Sequence, residues 1–118
     1  MQEQVSVNDS ILASVKKILG ITDDNTEFDV DLIIYINTVL ASLIQMGVGP
    51  QEGYVITDRE NTWYEFTGGN KKIEMTKSYV ALRVRKLFDP PQSSVLMEAL
   101  NQEMDEAKWR AYIEMGGH

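Results

Sequence analysis

The sequence predicts an all-α fold, with about four main helices in a compact bundle and an irregular loop between the second and third helices. Apolar residues recur every three or four positions along four segments, which is the period of a buried helix face. Capping residues, glycines and prolines bound these segments. A chain of 118 residues fits one domain spanning 1–118, with flexible ends at about 1–7 and 114–118.

The first helix is predicted from about Asn8 to Leu19. Either Asn8 or Asp9 can accept hydrogen bonds from the free N–H groups of the first turn, and Gly20 supplies the left-handed residue that ends many helices. Because the apolar residues lie on one side, this helix should bury a single stripe. The stripe consists of Ile11, Leu12, Val15, Ile18 and Leu19.

The second helix is predicted from Asp29, as its N-cap, to about Met46, with Gly47 as the break after it. Asp31 in the first turn is favourable because the helix dipole attracts negative charge there. The apolar residues of this segment cover most of the helix circumference rather than one stripe. Such a helix is either central in the protein or faces a second partner as well as its own core.

The stretch 47–69 is the predicted irregular loop. Tyr54 to Thr57 is compatible with a short extended segment. Thr62 to Phe66 is compatible with one turn of helix, which Thr62 and Glu65 would cap together. The aromatic residues of the loop, Trp63 among them, are expected to fill the core or a subunit interface rather than to bind a small ligand.

The third helix is predicted from Lys71 to Phe88, and the fourth from there to about Met115. Two starts are open for the fourth helix. It begins either at Asp89-Pro90, with proline at the first helical position, or at a serine cap, Ser93 or Ser94. The predicted buried faces are Ile73, Val80, Val84 and Leu87 on the third helix, and Leu96, Leu100, Met104, Ala107 and Ala111 on the fourth.

The residue types argue against an enzyme. The chain has no cysteine, and its single histidine is the terminal His118, so thiolate and internal imidazole chemistry are both missing. We therefore expect no catalytic residue, no cofactor and no bound metal. Asp23-Asp24-Asn25 resembles the start of a calcium loop, but the glycine and glutamate that complete such a loop are missing, which favours a solvated turn. No apolar run is long enough to cross a membrane, and the polar N-terminus predicts no secretory signal.

The net charge of −7 is distributed unevenly. Residues 1–60 carry ten acidic and three basic side chains, whereas residues 61–118 carry eight of each. Six basic side chains fall within one short stretch: Lys71, Lys72, Lys77, Arg83, Arg85 and Lys86. They form either an ordinary solvated helix face or an electrostatic partner for the acidic half of another copy. The interface candidates are these six residues, the acidic pair Asp23 and Asp24, and the tryptophans Trp63 and Trp109.

Several short segments occur in a distinctive order. A basic helix ends in Leu87-Phe88-Asp89-Pro90-Pro91-Gln92-Ser93-Ser94 and is followed by a helix with Glu98-Ala99 and Trp109-Arg110. The other segments are Ile11 to Ile21, Ile36-Asn37, Gly47-Val48-Gly49-Pro50 and Thr62-Trp63. In this order and spacing, over roughly residues 8–113, the chain resembles the small head–tail connector (adaptor or head-completion) proteins of tailed bacteriophages.

This resemblance implies a non-enzymatic structural protein of the virion, found at the head–tail junction and in the host cytoplasm during assembly. It implies a homo-oligomeric ring, typically a dodecamer, beneath the portal protein. The ring would extend the DNA channel and present the surface on which a stopper or tail-completion protein docks. DNA would pass through without sequence-specific binding, and no catalytic residue is carried over.

A different class of protein also fits the residues: a small regulatory or protein-interaction domain that contacts DNA or a partner through the basic third helix. Such a protein would be a stable monomer or dimer with salt-sensitive DNA binding. The acidic balance of the chain argues against it, because DNA-binding domains normally show a dominant basic patch.

Overall fold

A computed structural model describes residues 10–68 and 73–114. Within these ranges the chain forms five helices and no strand, which confirms the all-α prediction for this part of the protein. The helices are α1 (Ile11–Leu19), α2 (Asp29–Gln45), α3 (Trp63–Thr67), α4 (Glu74–Phe88) and α5 (Ser94–Glu114). The predicted flexible ends lie outside the described residues, apart from Glu114, which ends α5. None of the described helices is long and apolar enough to span a bilayer.

The N-cap of α1 differs from the prediction. Ser10 has an extended backbone, and its hydroxyl accepts a hydrogen bond of 3.1 Å from the backbone N–H of Ala13. The helix therefore begins later than expected, while Asn8 and Asp9 lie outside the described residues. The predicted end is confirmed, because Gly20 has φ of +81° and its N–H bonds back to the last turn.

The start of α2 also corrects the prediction. Asp29 is the first helical residue rather than the cap, and Phe28 before it provides no side-chain cap. The carboxylate of Asp29 instead pairs with Lys16 of α1. Five side chains of α2 are completely buried, which places this helix in the core against α1 and α4: Leu32, Ile36, Val39, Leu40 and Leu43.

The segment after α2 is held by side chains rather than by a sheet. Tyr54 to Thr57 forms no strand in the described structure. The side-chain amide of Asn37 instead pairs with both backbone groups of Ile56. Its Nδ2 donates to the carbonyl at 3.0 Å, and its Oδ1 accepts from the N–H at 2.8 Å. This two-bond contact inserts the Ile56 side chain into the core, where it is 1% exposed.

The short helix α3 confirms the predicted capping box. The hydroxyl of Thr62 accepts from the N–H of Glu65, and the Glu65 carboxylate accepts from the N–H of Thr62. Trp63 and Phe66 are both buried in the core. Tyr64, on the outer side of α3, is 70% exposed, so within one chain it does not fill the core.

The third predicted helix begins later than expected. Lys71 and Lys72 lie outside the described residues, and α4 starts at Glu74 with Ile73 as its N-cap. A carboxylate from another helix serves the first turn, since Glu114 Oε1 accepts from the N–H of Met75 at 3.1 Å. A partner so distant in sequence explains why local capping signals did not mark this boundary.

Three predicted core positions are exposed. Ile18 in the last turn of α1 is 60% exposed, because it lies at the edge of the predicted apolar stripe. Leu87 at the end of α4 is 43% exposed, because the adjacent Phe88 turns inward and packs edge-to-face on Phe28 at 5.2 Å. Leu96 is 60% exposed, because the first turn of α5 precedes its contact with the core. The rest of the predicted α5 stripe is buried: Leu100, Met104, Ala107 and Ala111. The serine alternative for the start of α5 is correct, since Ser93 Oγ accepts from the N–H of Leu96.

Candidate interaction surfaces

The basic residues of α4 do not form one patch. Lys77 lies 3.5 Å from the carboxylate of Glu74 on its own helix. Arg85 is exposed, and it faces away from Arg83 because residues two positions apart lie on different sides of a helix. Only Arg83 and Lys86 face the neighbouring helix α5. Of the predicted basic residues that the structure describes, Arg83 and Lys86 are therefore the two that face α5.

A groove of about 390 Å³ lies between α4 and α5, where Arg83 and Lys86 meet residues of the second helix. Arg83 donates to the hydroxyl of Tyr79 at 2.7 Å and its guanidinium lies 5.7 Å above that ring. Lys86 donates to Asn101 Oδ1 at 2.9 Å. The groove is lined by Tyr79, Arg83, Lys86 and Leu87 of α4 and by Met104, Asp105 and Lys108 of α5. We call this lining the cationic groove, because it carries three cations and one carboxylate.

The predicted acidic pair lies on an exposed turn between α1 and α2. Asp23 forms an ion pair of 3.0 Å with Arg59, where both side chains are about half exposed. Asp24 is exposed and pairs with no cation in the described chain. The turn is held on its buried side by Lys16, which is 2% exposed and donates to the backbone carbonyl of Asp23 at 3.1 Å. Both candidates are therefore surface groups on a well-anchored turn.

The two tryptophans occupy different environments. Trp63 is 1% exposed and its Nε1 donates to Ser14 Oγ at 2.8 Å, so it ties α3 to α1 inside the chain. Trp109 is 61% exposed and stacks on Tyr112 with ring centroids 6.0 Å apart. An open groove beside Trp109 is lined by Met46 at the end of α2 and by Tyr112, together with Asp105 and Lys108, which also line the cationic groove. Of the two, only Trp109 is available to a second molecule.

Beyond its first turn, where Asp31 is exposed, the outer side of α2 carries no charged residue. Val30 is 71% exposed and Ile34 is 56% exposed, one helical turn apart. The face continues along the helix through residues that are all exposed: Thr38, Ala41 and Gln45. We call these five residues the neutral face of α2. The sequence predicted a helix with apolar residues on most sides, and the structure shows which side is left uncovered.

Sequence analysis missed two cations whose position matters. Lys16, which no local sequence pattern marks as a core residue, is buried beneath the acidic turn. Lys108 lies outside the basic stretch of the third predicted helix, but it lines the cationic groove. Its spacing of four from Met104, a predicted core residue, was the available signal, because residues i and i+4 share a helix side.

The capping box of α3 shifts the pKa values of two side chains. Tyr54 donates a hydrogen bond to Glu65 Oε1 at 2.7 Å. This bond, followed by those from Asn61 and Thr62, holds the pKa of Glu65 below its usual value. Burial, followed by the contact with Glu65, raises the pKa of Tyr54 above its usual value. The pair is a structural lock on the loop. Among the described residues, no cluster of His, Cys, Asp and Glu is suited to a metal ion.

Comparison with known proteins supplies a family. The sequence of residues 11–118 matches the model of a protein family described as phage connector protein. No curated protein and no solved structure matches the chain. The matched range contains all five described helices, the cationic groove, the acidic turn and the neutral face of α2.

Proposed function

Since the family model matches nearly the whole sequence, the chain belongs to the phage connector protein family, and we propose that it forms a homo-oligomeric ring at the head–tail junction. This family membership confirms the resemblance predicted from the sequence. The protein is thus a structural component of the phage virion, with portal and tail or head proteins as its partners. Its role is to connect rather than to catalyse.

In detail, the ring we propose is a dodecamer that docks beneath the portal. It extends the DNA channel and offers its other side to a stopper or tail-completion protein. DNA passes through it without base-specific contacts. The free protein is made in the host cytoplasm and joins the virion during assembly.

The neutral face of α2 is the observation that carries the proposal. A cyclic ring is built from head-to-tail contacts, so each copy needs two different, mutually complementary surfaces. An exposed helix face with Val30 and Ile34, and with no charged residue from residue 32 to residue 45, has the composition of an interface centre, where charged residues are depleted. On an acidic chain with 25% charged residues, such a long uncharged stretch is unlike ordinary solvated surface.

The test is the mass of the protein in solution across a wide concentration range, alone and with its cognate portal protein. We expect rings of many copies, or monomers that join the portal as a ring. Ile34→Glu should prevent this assembly, because it places a charge in the centre of the neutral face. Val55→Glu is the matched control, since Val55 is a similarly exposed apolar residue in a loop.

Two results would contradict the proposal. One is a fixed monomer or dimer that ignores the portal at every concentration. The other is a ring that forms equally well with Ile34→Glu and with the wild type, provided that both are folded by circular dichroism.

The regulatory alternative is less well supported. The described cations of α4 face different directions, and Lys77 already lies 3.5 Å from the carboxylate of Glu74 on the same helix. A DNA-contacting domain would need several cations aligned along one surface to neutralise phosphates. Salt-sensitive binding of duplex DNA by a stable monomer would restore this alternative.

A further inference from the structure

We propose that the cationic groove between α4 and α5 receives the acidic turn between α1 and α2 of a neighbouring copy. This inference deepens the proposed function and rests on it, because it names one of the contacts that would close the ring. Each copy carries one groove and one acidic turn. The contact can therefore repeat from copy to copy in the head-to-tail manner that a ring requires.

The groove has unused capacity for anionic groups. The guanidinium of Arg83 has five N–H donors and the ammonium of Lys86 has three, and each donates one hydrogen bond to a described residue. Lys108 is exposed and forms no ion pair with a described residue. Asp105 is the one carboxylate in the lining, so the groove keeps an excess of positive charge. The exposed apolar side chain of Leu87 borders these cations and would add contact area.

The acidic turn has the complementary charge. We count with the turn the first residues of α2, so that the acidic turn spans residues 23–31. This range carries five carboxylates and no cation, which makes it the most acidic short stretch of the chain. Two of them, Asp23 and Asp29, pair with cations of the same chain. The other three are exposed and pair with no cation in the described structure: Asp24, Glu27 and Asp31.

The turn is also held in one shape before any partner arrives. The buried ammonium of Lys16 donates to the backbone carbonyl of Asp23 and pairs with the carboxylate of Asp29. These two contacts hold Asp23 and Asp29 in fixed positions relative to α1. Inside the turn, the N–H of Asn25 bonds to the carbonyl of Thr22 at 3.0 Å. A preformed turn loses little conformational entropy when it docks, which favours association.

Within one described chain, no ion pair joins a carboxylate of the turn to Arg83, Lys86 or Lys108. The two surfaces are therefore both available to another molecule. A second copy is the occupant that this charge pattern favours, because the same chain supplies both signs in separate places. Duplex DNA, the other polyanion near such a protein, is a competing occupant that the experiment distinguishes.

The experiment measures ring assembly by mass photometry at low and at high salt, with the full chain and the cognate portal protein. Lys108→Glu and Asp24→Lys, tested singly, should each raise the concentration needed for half-assembly by about fivefold at low salt. The double variant Lys108→Glu/Asp24→Lys restores the pairing with reversed signs and should recover most of this loss. At high salt the differences should shrink, because the charges are exposed and screened.

Two control variants test whether the effect depends on the position of the reversed charge. Arg85→Glu reverses an exposed cation of α4 outside the groove, and Glu52→Lys reverses an exposed carboxylate outside the turn. Both should assemble within about twofold of the wild type. Each variant is first checked for an unchanged unfolding midpoint, since all four substituted side chains are exposed.

The outcomes separate this inference from the proposed function. If the wild type never assembles, the proposed function fails and this contact fails with it. If the wild type forms rings but Lys108→Glu and Asp24→Lys assemble like the controls, only the groove-to-turn contact is overturned. If Lys108→Glu abolishes binding of duplex DNA and leaves ring assembly unchanged, the occupant is DNA and the contact proposed here is wrong.

Discussion

The ammonium of Lys16 lies 2.9 Å from Asp29 Oδ1, which joins the last turn of α1 to the first turn of α2. The lysine side chain is 3% exposed and the aspartate side chain is 25% exposed. The same ammonium also donates to the backbone carbonyl of Asp23 at 3.1 Å. A lysine is almost never this buried unless a carboxylate or carbonyl compensates its charge.

Replacing this lysine should destabilise the fold. Lys16→Met keeps most of the side-chain volume but leaves Asp29 without its cation, and we expect a loss of about 2 kcal/mol in the free energy of unfolding. The expected loss is below that of a fully buried pair because water reaches Asp29. Urea denaturation measures it. Lys17→Met is the control: Lys17 is exposed, and its replacement should change stability by less than about 0.5 kcal/mol.

A methyl group at Gly49 should be poorly tolerated. Its φ is +107°, and an added Cβ would lie 2.6 Å from Cζ of Phe66, whose ring is buried in the core. Gly49→Ala should therefore cost about 3 kcal/mol, from the left-handed backbone and from overpacking together. Gly53→Ala isolates the backbone part, because Gly53 has φ of +103° with open space around it, and it should cost about 1 kcal/mol. Equal losses for both variants would show that the ring of Phe66 yields.

The amide of Asn37 should stabilise the loop after α2. Asn37→Ala removes both hydrogen bonds to the backbone of Ile56 and leaves two partly buried polar groups without partners. We expect a loss of about 2 kcal/mol in thermal or urea unfolding. Thr38→Ala, on the exposed side of the same turn, should lie within about 0.5 kcal/mol of the wild type. A result for Asn37→Ala as small as that of its neighbour would argue that water replaces the amide.

The capping box of α3 should make stability depend on acid pH. The pKa of Glu65 is lower in the folded chain than in the unfolded chain, so the ionised carboxylate stabilises the fold above the unfolded-state pKa of about 4.3. This contribution is lost as the pH falls through the lower, folded-state pKa. Wild type should therefore exceed Glu65→Gln in stability at pH 7, and the difference should shrink at more acidic pH.

The same comparison with Glu52→Gln provides the control for that pH series. Glu52 is exposed, and its side chain makes no hydrogen bond or ion pair with a described residue. Its replacement should give a small stability difference that does not change with pH. A pH-independent difference for Glu65→Gln as well would mean that the glutamine amide serves the capping box as fully as the carboxylate.

The sequence by itself determined the features that depend on neighbouring residues. The end of α1 at Gly20, the capping box of Thr62 and Glu65, and the all-α class all follow from local hydrogen bonding and helical period. The family could also be predicted from the sequence, because the order and spacing of the short segments are properties of the sequence alone. These features need no knowledge of which elements meet in space.

Only the tertiary structure decided the features that join distant residues. The start of α4 depends on Glu114, which is 39 positions away from Met75. The burial of Lys16 depends on Asp29 across a turn, and the cationic groove depends on Lys108, which no count of charges along α4 would include. Helical period shows which residues share a side of one helix, but it does not show which side another helix covers. For that reason the core predictions for Ile18, Leu87 and Leu96 were wrong, and the neutral face of α2 could be identified only from the positions of the other helices.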